Sequence, residues 1–265
     1  MLFRRILTAA LAVSIVTGLA FALGQHFQVS QLIYAAEAFE GGGAAEATHH
    51  QDGAGHDAEH GHHHGETAAD HGHAHGHSGE VWTPADGGER IFYTALSDIF
   101  VALAFSVLML VAMSATHLYR GTTVGPARGL AWGVAGFAVF FAAPSLGLPP
   151  ELPGMQAAGL QARQLWWIAT VACTAAALGL FVFARGWKKA PGVVLLAIPH
   201  LVGAPHPHGG AFAGMEPDTV AAMSELHQQF IAATAVTNAA FWLLLGLACG
   251  WAIQNWVLRD DRNAA

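Results

Sequence analysis

Histidine is concentrated in the stretch HGHHHGETAADHGHAHGH, residues 60–77, which contains no lysine or arginine. Neutral imidazole is the commonest metal ligand in proteins and suits zinc, nickel, cobalt and copper. In an extended chain, the alternation of histidine with small residues over 71–77 places four rings on one side. We expect an adaptable, weak and poorly selective site for divalent metal rather than a solvated linker, and the predicted ligands are His60, His62, His63, His64, His71, His73, His75 and His77.

A second group of histidines lies in the segment IPHLVGAPHPHGG. His206 and His208 flank Pro207, which holds the backbone extended and fixes their relative direction. His200 follows Pro199 near the end of a short apolar run, and a histidine beside an interrupted membrane segment indicates an ion pathway. His227, in the motif SELHQQF, is a further candidate that could complete such a site.

The composition indicates a membrane protein. The 265 residues are 54% hydrophobic and only 11% charged, whereas about 25% charged residues is usual for a globular domain. Eleven of the eighteen acidic residues and eleven of the seventeen histidines fall between residues 37 and 90. This pattern predicts one polar insert, disordered without a ligand, in a chain that otherwise lies in the bilayer.

The apolar runs predict an all-α integral membrane protein with about six transmembrane helices and a disordered histidine-rich loop. About 20 apolar residues are needed to span the hydrocarbon core. The sixth run is short and contains Pro199, so we expect a broken helix, a re-entrant segment or a span completed by its neighbours. The predicted parts are a first helix with its extension, the extracytoplasmic loop and the helical bundle, over residues 1–40, 41–90 and 91–265, and the runs are 6–24, 95–116, 129–148, 165–184, 190–205 and 230–253.

The basic residues favour six spans over five and predict a cytoplasmic N-terminus. With six spans, nine lysines and arginines fall on the cytoplasmic side and two, Arg90 and Arg163, on the other. With five spans the division is seven against four. The first run is longer than the usual apolar part of a signal peptide, which favours an uncleaved helix over a cleaved leader. Both histidine groups then face the same extracytoplasmic side.

Familiar catalytic motifs do not occur in the sequence. It contains no GxxxxGK[ST], HExxH or GxSxG pattern and no basic patch for nucleic acid. We therefore expect a membrane protein that handles metal without being an enzyme. Two classes stay open: a transport subunit, in which the histidine-rich loop passes metal to a histidine-lined pathway, and a membrane-tethered metal buffer or sensor that does not conduct.

The chain resembles the CbtA family of predicted cobalt transporter subunits. The resemblance is carried by GQHFQVSQLIYAAEAFE after the arginine-led first run, by GLPPELPGMQAAGLQARQLWW, and by IPHLVGAPHPH before HQQFIAATAVTNAAFW. It implies uptake of a divalent metal, cobalt first and nickel or zinc as alternatives, across the bacterial inner membrane. It also implies a small CbtB-like membrane subunit as partner, and it leaves an oligomer open. The resemblance supplies no ligand positions, so the site predictions depend on the histidines themselves.

Overall fold

The computed structural model describes residues 2–48, 84–122 and 124–258, with no strand among them, so the predicted all-α class is confirmed. Some of the helices continue into one another through single π-helical turns, over Gln25–Val29 and Ala138–Ala142. A third π-helical turn, Ile253–Val257, ends the last helix. The α-helices are α1 Leu2–Gly24, α2 Ser30–Thr48, α3 Gly88–Arg120, α4 Pro126–Phe137, α5 Ala143–Ser145, α6 Leu160–Phe183, α7 Ala190–Val202 and α8 Pro217–Ala252.

In the described ranges, five helical segments are long and apolar enough to cross a bilayer, and α7 is a shorter sixth. At about 1.5 Å per residue, the 13 residues of α7 reach about 20 Å, short of the roughly 30 Å hydrocarbon core. The prediction of a helical membrane protein is therefore confirmed, with five to six spans. The five longer segments are Leu2–Phe39, Gly88–Arg120, Pro126–Ser145, Leu160–Phe183 and Pro217–Val257.

The short helix α7 runs back along α6 and returns the chain to the end where α6 began. The indole Nε1 of Trp166, early in α6, donates a hydrogen bond of 3.1 Å to the carbonyl of Pro199, late in α7. At the other end of the pair, Gly192 lies against the ring of Phe181. We expected Pro199 to interrupt this segment. Instead, α7 continues through Pro199 and ends at Val202.

Basic residues cluster at one end of the bundle, which we call the basic end. There, Arg5 of α1 donates a hydrogen bond of 3.5 Å to the carbonyl of Val257, and Arg120 of α3 donates one of 3.3 Å to the carbonyl of Phe183. Seven of the nine lysines and arginines in the described ranges lie at this end: Arg4, Arg5, Arg120, Arg128, Arg185, Lys188 and Lys189.

The two remaining arginines of the described ranges lie at the opposite end, and both are paired with acids. Arg90 contacts Glu37 at 2.6 Å, and Arg163 contacts Glu151 at 2.7 Å. The uneven distribution of lysine and arginine between the two ends, predicted for six spans, is therefore present among the described residues.

Glycines allow α4 and α8 to approach at backbone distance. A Cβ added at Gly129 would lie 2.2 Å from the carbonyl oxygen of Gly246, and one added at Gly133 would lie 2.4 Å from that of Trp242. Small residues of this kind are typical where membrane helices pack closely, because lipid tails provide no hydrophobic force to press helices together. Next to this seam, the buried Leu110, Leu245 and other apolar side chains form the core of the membrane part.

A second, smaller core lies beyond the membrane part. The segments that contain α1–α2, α3 and α8 are 38, 33 and 41 residues long, and about 20 residues already span the bilayer. Their excess length projects at the end opposite the basic end, where two loops pack against it. We call this region, residues 29–36, 146–159 and 203–230, the cap, and its core contains Val29, Ala36, Leu152, Met223 and Phe230.

Replacing Trp166 with phenylalanine tests the contact between α6 and α7. The change removes the hydrogen bond to Pro199 and replaces the buried indole with a smaller phenyl ring, while the carbonyl retains the backbone amide of Gly203 as a donor. We expect a loss of at least about 1 kcal/mol in the free energy of unfolding, the usual net contribution of one such bond, because some apolar contact is lost as well. Denaturant titration in micelles measures it, and Trp167→Phe, at a side chain that is 38% exposed, should change little.

Candidate metal-handling site

The eight histidines predicted in residues 60–77 lie outside the described residues, so their assignment as ligands stays a prediction. The helices on either side are described. α2 ends at Thr48 and α3 begins at Gly88, and the Arg90–Glu37 pair joins them. The Arg90 guanidinium also lies 4.8 Å from the centroid of the Tyr34 ring. The C-terminal end of α2 and the N-terminal end of α3, which flank the histidine-rich segment, therefore both lie at the cap end of the bundle.

His206 and His208 lie on the cap in the loop between α7 and α8. Both side chains are exposed, on either side of Pro207. The backbone amide of Gln156 donates a hydrogen bond of 2.8 Å to the carbonyl of Ala211. This bond joins the loop to the one that precedes α6. The two imidazoles are therefore displayed to solvent from an anchored segment.

His200 lies in the last turn of α7, below this loop. Its side chain is exposed, and its ring contacts Trp166 edge to face at a centroid distance of 6.0 Å. The Trp166 side chain is buried and hydrogen-bonded to the turn that carries His200. The tryptophan therefore positions His200 at the cap end of the short segment.

His227 is held by the backbone of the other cap loop. Its Nε2 lies 2.8 Å from the carbonyl oxygen of Pro150, and its ring packs edge to face against Phe212 at a centroid distance of 6.2 Å. Because a carbonyl oxygen only accepts, Nε2 carries the proton and Nδ1 carries the lone pair of the neutral ring. A ligating histidine commonly uses a hydrogen bond of this kind to fix its tautomer.

The four histidines share one end of the molecule but do not converge. In the parts of the chain that the structure describes, no group of three or more histidine, cysteine, aspartate or glutamate side chains is placed to hold a metal ion. Their role as ligands stays a prediction. As arranged, His200, His206, His208 and His227 offer one or two nitrogens at a time, which suits transient binding and exchange rather than a closed structural site.

Asp98 is a functional candidate that the sequence analysis missed. It lies in α3, is only 8% exposed, and accepts a hydrogen bond of 3.2 Å from the amide of Gln25. Its second oxygen, Oδ2, has no hydrogen-bond partner among the described residues. The signal was present, since Asp98 is an acid inside the apolar run 95–116, and such residues are rare and usually functional.

A bundle of membrane-length helices with a basic end and a histidine-bearing cap defines a multi-pass integral membrane protein. Residues 3–254 match the CbtA family, described as a probable cobalt transporter subunit. The chain belongs to the CbtA family. No curated protein and no solved structure matches it. The family description indicates that cobalt is the transported substrate. The word subunit implies a partner, and a transporter subunit is not a class of enzyme.

Proposed function

We propose that this chain is the membrane subunit of a transporter that imports cobalt across the bacterial inner membrane. In this proposal, the histidine-rich segment collects the ion and the cap histidines receive it. The observation that carries the proposal is the position of His206, His208 and His227 at the end of the bundle where α2 and α3 lead into that segment. The partner in the complete transporter is a small CbtB-like membrane subunit.

The proposed transfer of the ion proceeds by ligand exchange along the cap. The exposed His206 and His208 accept the ion from the collecting segment, and His200 lies further along the same chain at the end of α7. Exposed carboxylates near the start of α8, Glu216, Asp218 and Glu225, attract a dication to this surface. Nickel and zinc fit the same imidazoles, so selectivity for cobalt depends on geometry and supply.

The proposed orientation places the basic end in the cytoplasm and the cap outside. Among the described residues, seven basic side chains at one end against two paired ones at the other support this orientation, because lysine and arginine are enriched in cytoplasmic loops. The membrane potential then drives import. It contributes about 2.3 kcal/mol per charge per 100 mV, hence about twice that for a dication moving inward.

The alternative function is a membrane-tethered metal buffer or sensor without conduction. Histidine-rich sequence and exposed cap histidines serve capture equally well. One anchoring helix would suffice for a buffer, whereas the described part of this chain has five segments of membrane length and a sixth, shorter one. Purified protein in liposomes separates the two, because a transporter releases cobalt into the lumen and a buffer only binds it.

Replacing both His206 and His208 with alanine tests the transfer step. We expect the initial rate of radiolabelled cobalt uptake, in cells that also express the candidate partner, to fall by about tenfold or more, as for loss of positioned metal-site groups. Both side chains are exposed, so folding should be unaffected.

The control for this variant is a second exposed pair in the cap. Gln228→Ala with Gln229→Ala alters α8 close to His227 without removing an imidazole. This pair should transport cobalt at the normal rate. Unchanged uptake by the histidine variant would contradict the proposed role of His206 and His208.

A further inference from the structure

Asp98 lies beside a close backbone contact between α1 and α3. A Cβ added at Gly18 of α1 would lie 2.6 Å from the Cα of Ile99, the residue that follows Asp98. The backbones are in contact there, and the carboxyl group is buried beside that contact. Water has little access to Asp98 while the two helices remain packed.

The π-helical turn between α1 and α2 provides the polar partner of Asp98. Gln25 opens this turn and donates its amide hydrogen to Oδ1, while Oδ2 has no hydrogen-bond partner in the described part of the chain. One residue further along the turn, His26 is half-buried. Single π-helical turns within long helices occur frequently at functional sites. The turn and the unpartnered oxygen are two separate observations that point to a ligand.

The depth of Asp98 can be measured along the helices from the basic end. At about 1.5 Å per residue, Gln25 lies about 30 Å beyond Arg5, and Asp98 lies about 33 Å beyond Arg120. The hydrocarbon core is also about 30 Å thick. Asp98 therefore lies at the boundary between the membrane core and the cap, on the side opposite the basic end.

Among the residues that the structure describes, no group around Asp98 supplies a counter-charge at contact distance. On α3 itself, Arg90 is bound by Glu37 of α2 and by Asp86. Tyr93 lies between Arg90 and Asp98 along the same helix. On the α1 side, His26 packs its ring against Phe27, at 5.3 Å between centroids. On the α8 side, the uncharged Thr237 lies against Gly24, next to Gln25, and its hydroxyl oxygen is 3.3 Å from Oε1 of Gln28.

A single carboxyl group in this setting suits a proton better than a metal ion. An unpaired buried carboxylate is costly and becomes neutral instead. A hard dication requires about six oxygen ligands, and no cluster of metal-binding side chains surrounds Asp98 in the described ranges. A proton needs only one oxygen, and Oδ2 is available for it.

We propose that Asp98 is a proton-binding site at the cap boundary, where a proton from the water on the cap side binds Oδ2 and is later released to the same water. The proton stays bound while α1 and α3 are packed, because the neutral acid tolerates burial. Its release requires the contact beside Gly18 to open and admit water. Opening of this contact then accompanies movement of the dication. This last step rests on the proposed transport function, whereas the proton site itself does not.

Labelling with a hydrophobic carbodiimide tests the proton site without any transport. The reagent reacts with protonated carboxyl groups in apolar surroundings, and peptide mass spectrometry locates the adduct. In native membranes, we expect labelling of Asp98 that is several-fold stronger at about pH 6 than at about pH 9, as for an acid kept neutral by burial. The exposed Glu225 serves as the internal control. Labelling of Asp98 no stronger than that of Glu225, or absent at both pH values, would overturn the proposal.

The variant Asp98→Asn tests the coupling to transport. Asparagine keeps the shape and can accept the Gln25 hydrogen bond, but it cannot exchange a proton. We expect cobalt binding by the purified protein to be unchanged and uptake to fall by about tenfold or more, as for an essential intramembrane acid. Asp98→Glu should recover part of the uptake. Wild-type rates and pH dependence in Asp98→Asn would refute the coupling, whereas an absence of uptake in the unchanged protein would count against the transport function and leave the labelling result intact.

Discussion

Leucine at position 129 should prevent α4 from docking against α8 and should leave little folded protein. A Cβ at this position already overlaps the carbonyl oxygen of Gly246 at 2.2 Å, and the Cα of Gly250 lies 3.1 Å away. Both contacts are backbone atoms, so no side chain can rotate to make room. A single added methyl group in a packed core costs about 1–3 kcal/mol, and leucine adds three more carbons. Fluorescence-detected size-exclusion chromatography and denaturant titration measure the effect.

Leucine at Gly179 is the matched control. Gly179 also lies within a membrane helix, but a Cβ there meets no atom within 4 Å. We expect this variant to be as stable as the unchanged protein, or slightly more stable, because leucine has the higher helix propensity. A folded Gly129→Leu protein with normal stability would show that α4 and α8 do not pack as described. Gly129→Ala should give an intermediate loss if the overlap is the cause.

Serine in place of all eleven histidines between residues 49 and 77 should strongly reduce cobalt uptake when cobalt is limiting. Under the proposed function, this segment raises the local concentration of cobalt near the cap, and serine keeps it polar without offering imidazole. We expect uptake at limiting cobalt to fall by about tenfold or more, as expected when metal ligands are removed. At saturating cobalt the rate should recover, because His206 and His208 remain on the cap. Initial rates over a range of cobalt concentrations measure the shift.

A scrambled segment is the control for the histidine-free variant. The same 29 residues in a different order keep all eleven histidines, and capture by an adaptable tract should survive the change. Unaltered uptake by the serine variant at limiting cobalt would contradict the collecting role. Loss of uptake at every concentration would indicate that the segment is part of the pathway and not only a collector.

The separate cores of the membrane part and the cap explain why some of the predicted substitutions affect stability and others affect uptake. Gly129 belongs to the membrane core, so its replacement changes stability. The cap has its own core around Met223 and Phe230, so substitutions of exposed cap residues leave the bundle intact. Asp98 lies where the two meet. A change there should alter the relation between cap and membrane part more than the stability of either.

Membrane segments and their charges could be predicted from sequence because they depend on local properties. The transfer free energy of an apolar run and the side on which arginines remain are set residue by residue. The five long segments and the basic end accordingly appear where the runs and charges predicted them. Pro199 was the exception, since we expected an interruption and the helix continues through it. Its carbonyl is held by Trp166 of α6, a contact that depends on the packing of two helices.

The relations between distant residues were decided only by the tertiary structure. His227 and Pro150 are 77 residues apart, and Asp98 and Gln25 are 73 apart. Neither pair follows from a local pattern, because each depends on which helices pack together and at what height. The sequence identified histidines suited to a dication and the end of the bundle that carries them. Packing determined that His227 has a fixed tautomer, that His200 and the three cap histidines stay apart, and that Asp98 is enclosed between α1 and α3.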